Sequence, residues 1–237
     1  MKGSERARYV GEMFARISRR YDRLNTIMSG GRHYVWRRRA AGMAVGEMTG
    51  PALDVATGTG DFTFDLLGHS QVTNVVGLDF TRAMLPLAIE KASERGSSDR
   101  IEFMAGDAHA LPFPDNSFIC VTVGFGVRNF IDVPLAMREM RRVVRPGGRV
   151  VILEIVRQDG LNPVGKLFPL YFRRVTPWMG ALFAGDREAY TYLPESVQGF
   201  LSAKELAELM RGAGLVNVRY QRLALGTVAI HVGEKAG

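Results

Sequence analysis

The chain has 237 residues, 46% hydrophobic and 23% charged, an ordinary globular composition that excludes wholesale disorder and suits one domain with at most a small appendage. Its longest stretch without a formal charge, residues 66–78, is too short to span a bilayer, and one cysteine, Cys120, excludes an internal disulfide and a Cys-rich metal site. The net charge is +7, yet residues 1–50 hold 11 Lys and Arg against 4 Asp and Glu, so the whole excess lies in the N-terminal fifth. Such a cluster suits a solvated helix face or an anionic surface such as lipid headgroups, nucleic acid or a phosphorylated substrate.

In chain order, residues 5–20 and 33–47 read as helices. Val10, Met13, Phe14 and Ile17 form an apolar stripe among Arg6, Arg8, Arg16, Arg19 and Arg20. No apolar segment of signal-peptide type occurs in residues 1–30, and cytoplasmic residence is the default expectation. Residues 1–50 are expected to form a helical extension, or lid, before a main domain over 51–237. From Pro51 onward, short apolar runs at 52–56, 72–78, 101–104, 119–124 and 149–154 predict buried strands. Helices near 61–68, 82–95 and 132–145 separate them, which implies βαβ units and a parallel sheet covered on both faces. Arg145-Pro146-Gly147-Gly148 predicts a turn into the fifth strand. Residues 160–200 break this rhythm with four prolines among aromatic residues and predict a partly helical insertion covering the site. Ser202 with Glu205 predicts a capping box opening a helix near 202–213. Strands near 216–223 and 226–232 predict an antiparallel hairpin at the sheet edge. The expected class is therefore α/β: a mostly parallel seven-stranded sheet of Rossmann-like type.

Leu53-Asp54-Val55-Ala56-Thr57-Gly58-Thr59-Gly60-Asp61 follows the first strand and opens a helix. Small residues at Gly58 and Gly60 let a ligand approach the backbone closely, with helix N–H groups facing it. Asp54 and Asp61 flank the turn. They would repel a pyrophosphate but suit a ligand carrying an amine and a sulfonium, which favours S-adenosylmethionine over a dinucleotide. Asp79 ends the second strand, where it can accept hydrogen bonds from ribose hydroxyls. Asp107, before Ala108, ends the third and can meet the exocyclic amine of an adenine.

These segments, with Leu111-Pro112-Phe113-Pro114-Asp115 and the Pro-Gly-Gly turn, resemble class I S-adenosylmethionine-dependent methyltransferases. More narrowly, the chain resembles the ubiquinone/menaquinone biosynthesis C-methyltransferases. The narrower resemblance rests on Tyr21-Asp22-Arg23-Leu24-Asn25 with Met28-Ser29, His33-Tyr34-Val35-Trp36-Arg37, Phe125-Gly126-Val127-Arg128-Asn129, Tyr190-Thr191-Tyr192-Leu193 with Glu195-Ser196, and Val228-Ala229-Ile230-His231. Leu24, Arg32, Tyr34 and Gly124 depart from the usual family residues; Gly124 stands where serine is frequent. The resemblance implies S-adenosylmethionine as cofactor, contacted by Thr59, Asp79, Asp107 and Ala108, with Gly58 and Gly60 shaping the loop and Gly124 beside it.

The implied reaction is C-methylation of a prenylated quinol. Demethylmenaquinol is the expected substrate and a methoxy-benzoquinol of ubiquinone synthesis the alternative. Methyl transfer from a sulfonium is an in-line displacement, so the protein must align the reacting carbon and stabilise the ionised quinol oxygen. Arg128 is expected to stabilise the quinolate and Asn129 to orient the ring or a water. His33 is a candidate base, Tyr21 a relay or ring contact, and His231 a third option. His69 and His109 read as ordinary loop or helix-start residues, Cys120 as a small buried hydrophobe, and no metal ligand spacing appears. An insoluble prenylated substrate also implies transient contact with the inner face of the cell membrane through residues 5–20 and the apolar stretch 160–185, where Phe168, Tyr171, Phe172, Trp178 and Phe183 could line the entry. A homo-oligomer is compatible with the resemblance. Two rival readings are an RNA methyltransferase of the same fold, whose basic N-terminus would meet phosphates but for which no appended RNA-binding module is found, and a cofactor-binding scaffold without turnover.

Overall fold

The computed structural model describes residues 3–158, 192 and 196–237, apart from the side chains of residues 3–9, 17, 19–21 and 24. Most of the expected insertion at 160–200, including its five aromatic residues, therefore lies outside the described residues.

Helix α1 (Gly3–Ser29) is followed by α2 (Arg32–Ala44), β1 (Gly50–Val55), α3 (Asp61–Leu67) and β2 (Val72–Asp79). Then come α4 (Leu85–Glu94), β3 (Ile101–Ala105), β4 (Phe118–Gly124), α5 (Val133–Val143) and β5 (Val144–Ile155). The chain closes with α6 (Ala203–Gly212), β6 (Leu215–Leu223) and β7 (Val228–Lys235). The seven strands form one sheet in the order β3-β2-β1-β4-β5-β7-β6. Pairing is parallel from β3 to β5, whereas β7 runs antiparallel to both β5 and β6. The expected closing hairpin thus inserts its second strand beside β5 and leaves β6 at the edge. The strand order reverses beside β1, so the crevice at the carboxyl ends of β1 and β4 is where such sheets bind ligands.

Both faces of the sheet are buried, which is why its central strands read as unbroken apolar runs rather than alternating ones. Leu53, Val55, Val121, Val123, Val150 and Ile152 pack with Met137, Met140, Leu206 and Met210 of α5 and α6. On the opposite face Ala52, Cys120, Val151, Leu153 and Ile230 pack with Ala40, Ala41 and Ala44 of α2 and Phe62 and Leu66 of α3. Cys120 is a fully buried member of that second face, and burial pushes its thiol up to about 12.

Two boundaries differ from expectation for local reasons. Helix α1 runs nine residues past Arg20, and within that extension Thr26 and Ser29 turn their hydroxyls back to Asp22 O and Asn25 O. It stops where Gly30 and Gly31 adopt φ of 59° and 75°. Strand β5 begins at Val144 rather than after the Pro-Gly-Gly turn. Val144 pairs with Phe118 and Arg149 with Cys120, so residues 145–148 are accommodated as an irregularity within the strand. The capping box at α6 forms as expected: Glu205 N donates to Ser202 Oγ at 3.3 Å and Ser202 N to Glu205 Oε2 at 2.7 Å.

Candidate active site

An open cavity lies at the carboxyl ends of β1, β2 and β4, the crevice where sheets of this order hold small molecules. Val55, Ala56, Gly58, Leu78, Asp79 and Thr81 form one side, and Gly106, Asp107, Ala108 and His109 another. The turn after β4 supplies Gly124, Phe125, Gly126, Asn129, Phe130 and Ile131, and Val10, Gly11 and Phe14 of α1 close over the top. Ala56 and Phe125 both take left-handed backbone, with φ of 55° and 57°. That conformation costs a non-glycine residue on the order of 1 kcal/mol, and here it occurs twice, on adjacent turns facing one cavity.

Gly58 has φ of 56°, and a Cβ built on it would meet open space within 4 Å. The glycine is therefore required by backbone conformation, and its bare surface faces the cavity. Its N–H donates to Asp79 Oδ2 at 2.7 Å, and Thr81 N donates to Asp79 Oδ1, also at 2.7 Å. Burial raises the Asp79 carboxyl pKa, and these two amide donors partly offset the rise. Each oxygen keeps lone-pair capacity for hydroxyl donors in the cavity. Asp107 and Ala108 line the same space.

Asp54 and Asp61 do not line the cavity, contrary to expectation. In the β1 register Asp54 lies beside Thr122 and points to the α3 face, beneath the loop. Its carboxylate accepts from the hydroxyls of Thr57 (2.6 Å), Thr63 (3.0 Å) and Thr122 (2.9 Å), so it braces the loop from below. Asp61 accepts from Lys91 Nζ at 3.0 Å and Arg37 Nη1 at 3.1 Å. Burial alone would raise its pKa, but these two cations outweigh burial and hold it low. Thr59 also turns away: it donates to Asp22 Oδ1 at 2.7 Å and accepts from Lys91 Nζ at 3.0 Å. Gly60, with φ of 82°, caps α3 behind the loop. Asp22, Thr59, Asp61 and Lys91 thus tie α1, the glycine loop, α3 and α4 together, a network that sequence reading missed because Asp22 and Lys91 are 69 residues apart.

Burial pushes Asp54 up to about 6 from 3.8. A carboxyl raised on folding contributes stability that is fully present below the unfolded value and is lost as pH rises through the folded one. Relative to Asp54→Asn, the wild type is expected to lose roughly 2 kcal/mol of unfolding free energy between pH 4 and pH 7.5. Urea titrations of both proteins at the two pH values measure that difference.

Of the residues expected to carry chemistry, Asn129 lines the cavity and Arg128 does not. Arg128 is buried, with Nη1 donating to Glu154 Oε1 at 2.7 Å and to Phe125 O at 2.5 Å. Its guanidinium therefore supports the wall from behind. Asn129 Oδ1 accepts from Tyr192 OH at 2.9 Å, a bond that leaves both amide N–H groups uncommitted to Tyr192. His33 lies at the α1–α2 corner, away from the cavity, with Nδ1 2.7 Å from Ser29 Oγ. Burial and then the charge of Arg37 lower its pKa. His231 is fully buried on the α6 face, its Nε2 2.8 Å from Ala203 O, and burial lowers its pKa to about 4. Neither histidine reaches the cavity, because each sits on an element whose buried face points elsewhere. The Tyr21 side chain lies outside the described residues.

Sequence reading passed over His109, which lines the cavity; its only signal was a position two residues beyond Asp107. Gly124 also lines the cavity, and a Cβ there would lie 2.9 Å from Phe62 Cδ1. Gly124→Ser is therefore expected to destabilise by about 1–2 kcal/mol through overpacking, and Phe62→Leu in the same chain should recover most of it. Thermal melts of the single and double variants check this.

The chain matches the model of the ubiE/COQ5 methyltransferase family over residues 1–235. A demethylmenaquinone methyltransferase of Deinococcus radiodurans is 46% identical, covering 98% of this chain and 94% of the relative. A ubiquinone/menaquinone biosynthesis C-methyltransferase UbiE of Hahella chejuensis is 40% identical, covering 98% and 94%. Among solved structures, the [4+2]-cyclase SpnF superposes with a TM-score of 0.71 at 18% identity, covering 96% and 95%; that likeness concerns the fold alone. With the family model and relatives both spanning nearly the whole length, the chain belongs to the ubiE/COQ5 methyltransferase family.

Proposed function

We propose that this chain transfers the methyl group of S-adenosylmethionine to a ring carbon of a prenylated quinol, converting demethylmenaquinol to menaquinol. The observation that carries this reading is the full-length kinship with demethylmenaquinone methyltransferases. The cavity fits the chemistry: its lining combines the polar groups of Gly58, Asp79 and Asp107 with the aromatic side chains of Phe14, Phe80, Phe125 and Phe130.

S-adenosylmethionine supplies, when bound, a methyl group already activated on a sulfonium. Asp79 accepts the ribose hydroxyls, Gly58 lets the ligand approach the loop backbone, and Asp107 with Ala108 takes the adenine. The Asn129 amide, oriented by Tyr192, donates to the ionising quinol oxygen and stabilises the charge that makes the ring carbon nucleophilic. That carbon gains the methyl as the methyl–sulfur bond breaks and S-adenosylhomocysteine leaves, and the carbon's own proton passes to water to restore the aromatic ring. Arg128 acts as a positioning residue, holding the Phe125 turn from behind. Asn129→Ala is expected to lower kcat with little change in cofactor affinity.

The deciding experiment offers labelled S-adenosylmethionine, under reducing conditions, to short-tailed demethylnaphthoquinol, to methoxy-benzoquinol and to total RNA. Label in the naphthoquinol supports the reading. Label in the benzoquinol alone moves it to the ubiquinone branch, which the relative from Hahella keeps open. Label only in RNA overturns it.

The proposal includes transient contact with an anionic membrane surface, where the insoluble tail resides. No described helix is long and apolar enough to cross a membrane. Arg23, Arg32, Arg38 and Arg39 are exposed on α1 and α2, within the segment that holds the whole charge excess, and basic side chains of this kind favour anionic headgroups. Co-sedimentation with anionic but not neutral vesicles is the expected result.

A further inference from the structure

His109 makes three contacts that join two walls of the cavity. Its ring Nδ1 is 2.5 Å from Asp107 Oδ1, and its backbone N–H donates to the same oxygen at 2.9 Å. Its Nε2 lies 3.1 Å from Asp132 N. A backbone N–H can only donate, so Nε2 is the acceptor, and the proton of the neutral ring sits on Nδ1, aimed at Asp107. The ring also meets Phe130 edge-on, with centroids 5.9 Å apart. Asp107 belongs to the turn after β3, whereas Phe130 and Asp132 belong to the segment entering α5.

Both of these Asp107 contacts fall on Oδ1, and among the described residues Oδ2 has no hydrogen bond. The Asp107 side chain is 49% exposed and lines the cavity. The carboxylate would turn freely if it were held at neither oxygen. Gripped at Oδ1 by two donors, it presents Oδ2 as a directed acceptor.

We infer that His109 is a positioning residue for cofactor recognition: it locks the Asp107 carboxylate so that Oδ2 reads the exocyclic amine of the adenine, and it clips that reading edge to the entrance of α5. The inference rests on the placement of the adenine at Asp107 given above. It assigns specificity for the 6-amino group to a pair of residues, one touching the purine and one acting through its neighbour.

The two ring nitrogens can be separated by substitution. Asparagine places its amide N–H near the position of Nδ1 and can keep the bond to Asp107. Glutamine places its amide near Nε2 and can keep only the acceptor for Asp132 N. The test measures, by calorimetry, dissociation constants for S-adenosylhomocysteine and for its 6-deamino analogue, which carries purine in place of adenine and lacks only the amine. Wild type is expected to prefer the amino ligand. That preference should shrink about tenfold in His109→Ala, the effect of losing one hydrogen bond to a charged group. It should shrink similarly in His109→Gln and survive in His109→Asn, with unchanged circular dichroism in all three. Equal weakening toward both ligands in His109→Ala, with the preference intact, would overturn the inference and leave His109 a structural clip. If wild type and Asp107→Ala share one preference, Asp107 does not read the amine. In that case the adenine placement falls first and the role of His109 falls with it.

Discussion

Glu154→Ala is expected to lower the unfolding free energy by about 3–5 kcal/mol, the cost of stranding a buried charge. Glu154 is fully buried on β5, and Arg128 is 6% exposed. The carboxylate accepts from Arg128 Nη1 at 2.7 Å, from Arg128 N at 3.2 Å and from Ile155 N at 2.9 Å. Removing it takes the carboxylate counter-charge from the buried Arg128 guanidinium and the acceptor from two backbone donors. Arg128→Met with Glu154→Gln removes both charges and should recover a large part of the loss, since a buried pair contributes little net stability over neutral residues of similar volume. Urea denaturation of the single and double variants measures the difference. The pair also holds Phe125, whose carbonyl accepts from Arg128 while its backbone takes a φ of 57°. The double variant, though folded, is expected to be slow in methyl transfer, because Asn129 follows directly from that turn. A double variant with full activity would show that Phe125 keeps its conformation unaided.

The second large effect concerns binding. On the cofactor placement proposed above, Asp79→Ala is expected to weaken cofactor affinity on the order of 100-fold or more, the effect of losing two charge-assisted hydrogen bonds. The carboxylate is held in advance by Gly58 N and Thr81 N, so binding requires little ordering of this group. Preorganisation has a stability cost, since burial raises the Asp79 pKa and penalises its ionised form. The substitution should therefore leave the thermal midpoint of the cofactor-free protein within a few degrees of wild type, while abolishing the upward shift that S-adenosylhomocysteine causes in wild type. Loss of folding in parallel with loss of binding would instead make Asp79 a structural brace like Asp54.

That contrast between Asp54 and Asp79 marks the limit of what could be read in advance. Both are aspartates near the carboxyl ends of adjacent strands, beside the same glycine turn. Asp79 stands at the end of β2 and opens onto the cavity. Asp54 is one residue short of the end of β1 and pairs in register with Gly77, two residues before Asp79, so alternation turns both acids to the α3 face and Asp54 simply lies deeper in the sheet, beneath the loop. There the hydroxyls of Thr57, Thr63 and Thr122 take up its carboxylate. A step of two residues toward the end of the sheet separates a cavity-facing acid from a brace, and the edge of an apolar run does not resolve where a strand ends to that precision.

Sequence by itself determined the seven strands, their βαβ rhythm, the antiparallel closing hairpin, the capping box at Ser202 and the glycine turn at Gly58. Each depends on local pattern: apolar runs of strand length, glycine where φ is positive, and a hydroxyl three residues before a glutamate. Tertiary structure alone decided which polar residues face the cavity. Arg128 is claimed by Glu154 from a neighbouring strand, Asp61 by Arg37 and Lys91, and His33 and His231 by buried corners of other elements. His109 gains its place only because the turn after β3 and the entrance to α5 meet across the crevice. Such partners lie tens of residues apart in the chain. Where a charge comes to rest depends on which opposite charge or donor the packed sheet brings within hydrogen-bonding distance, and no local periodicity encodes that.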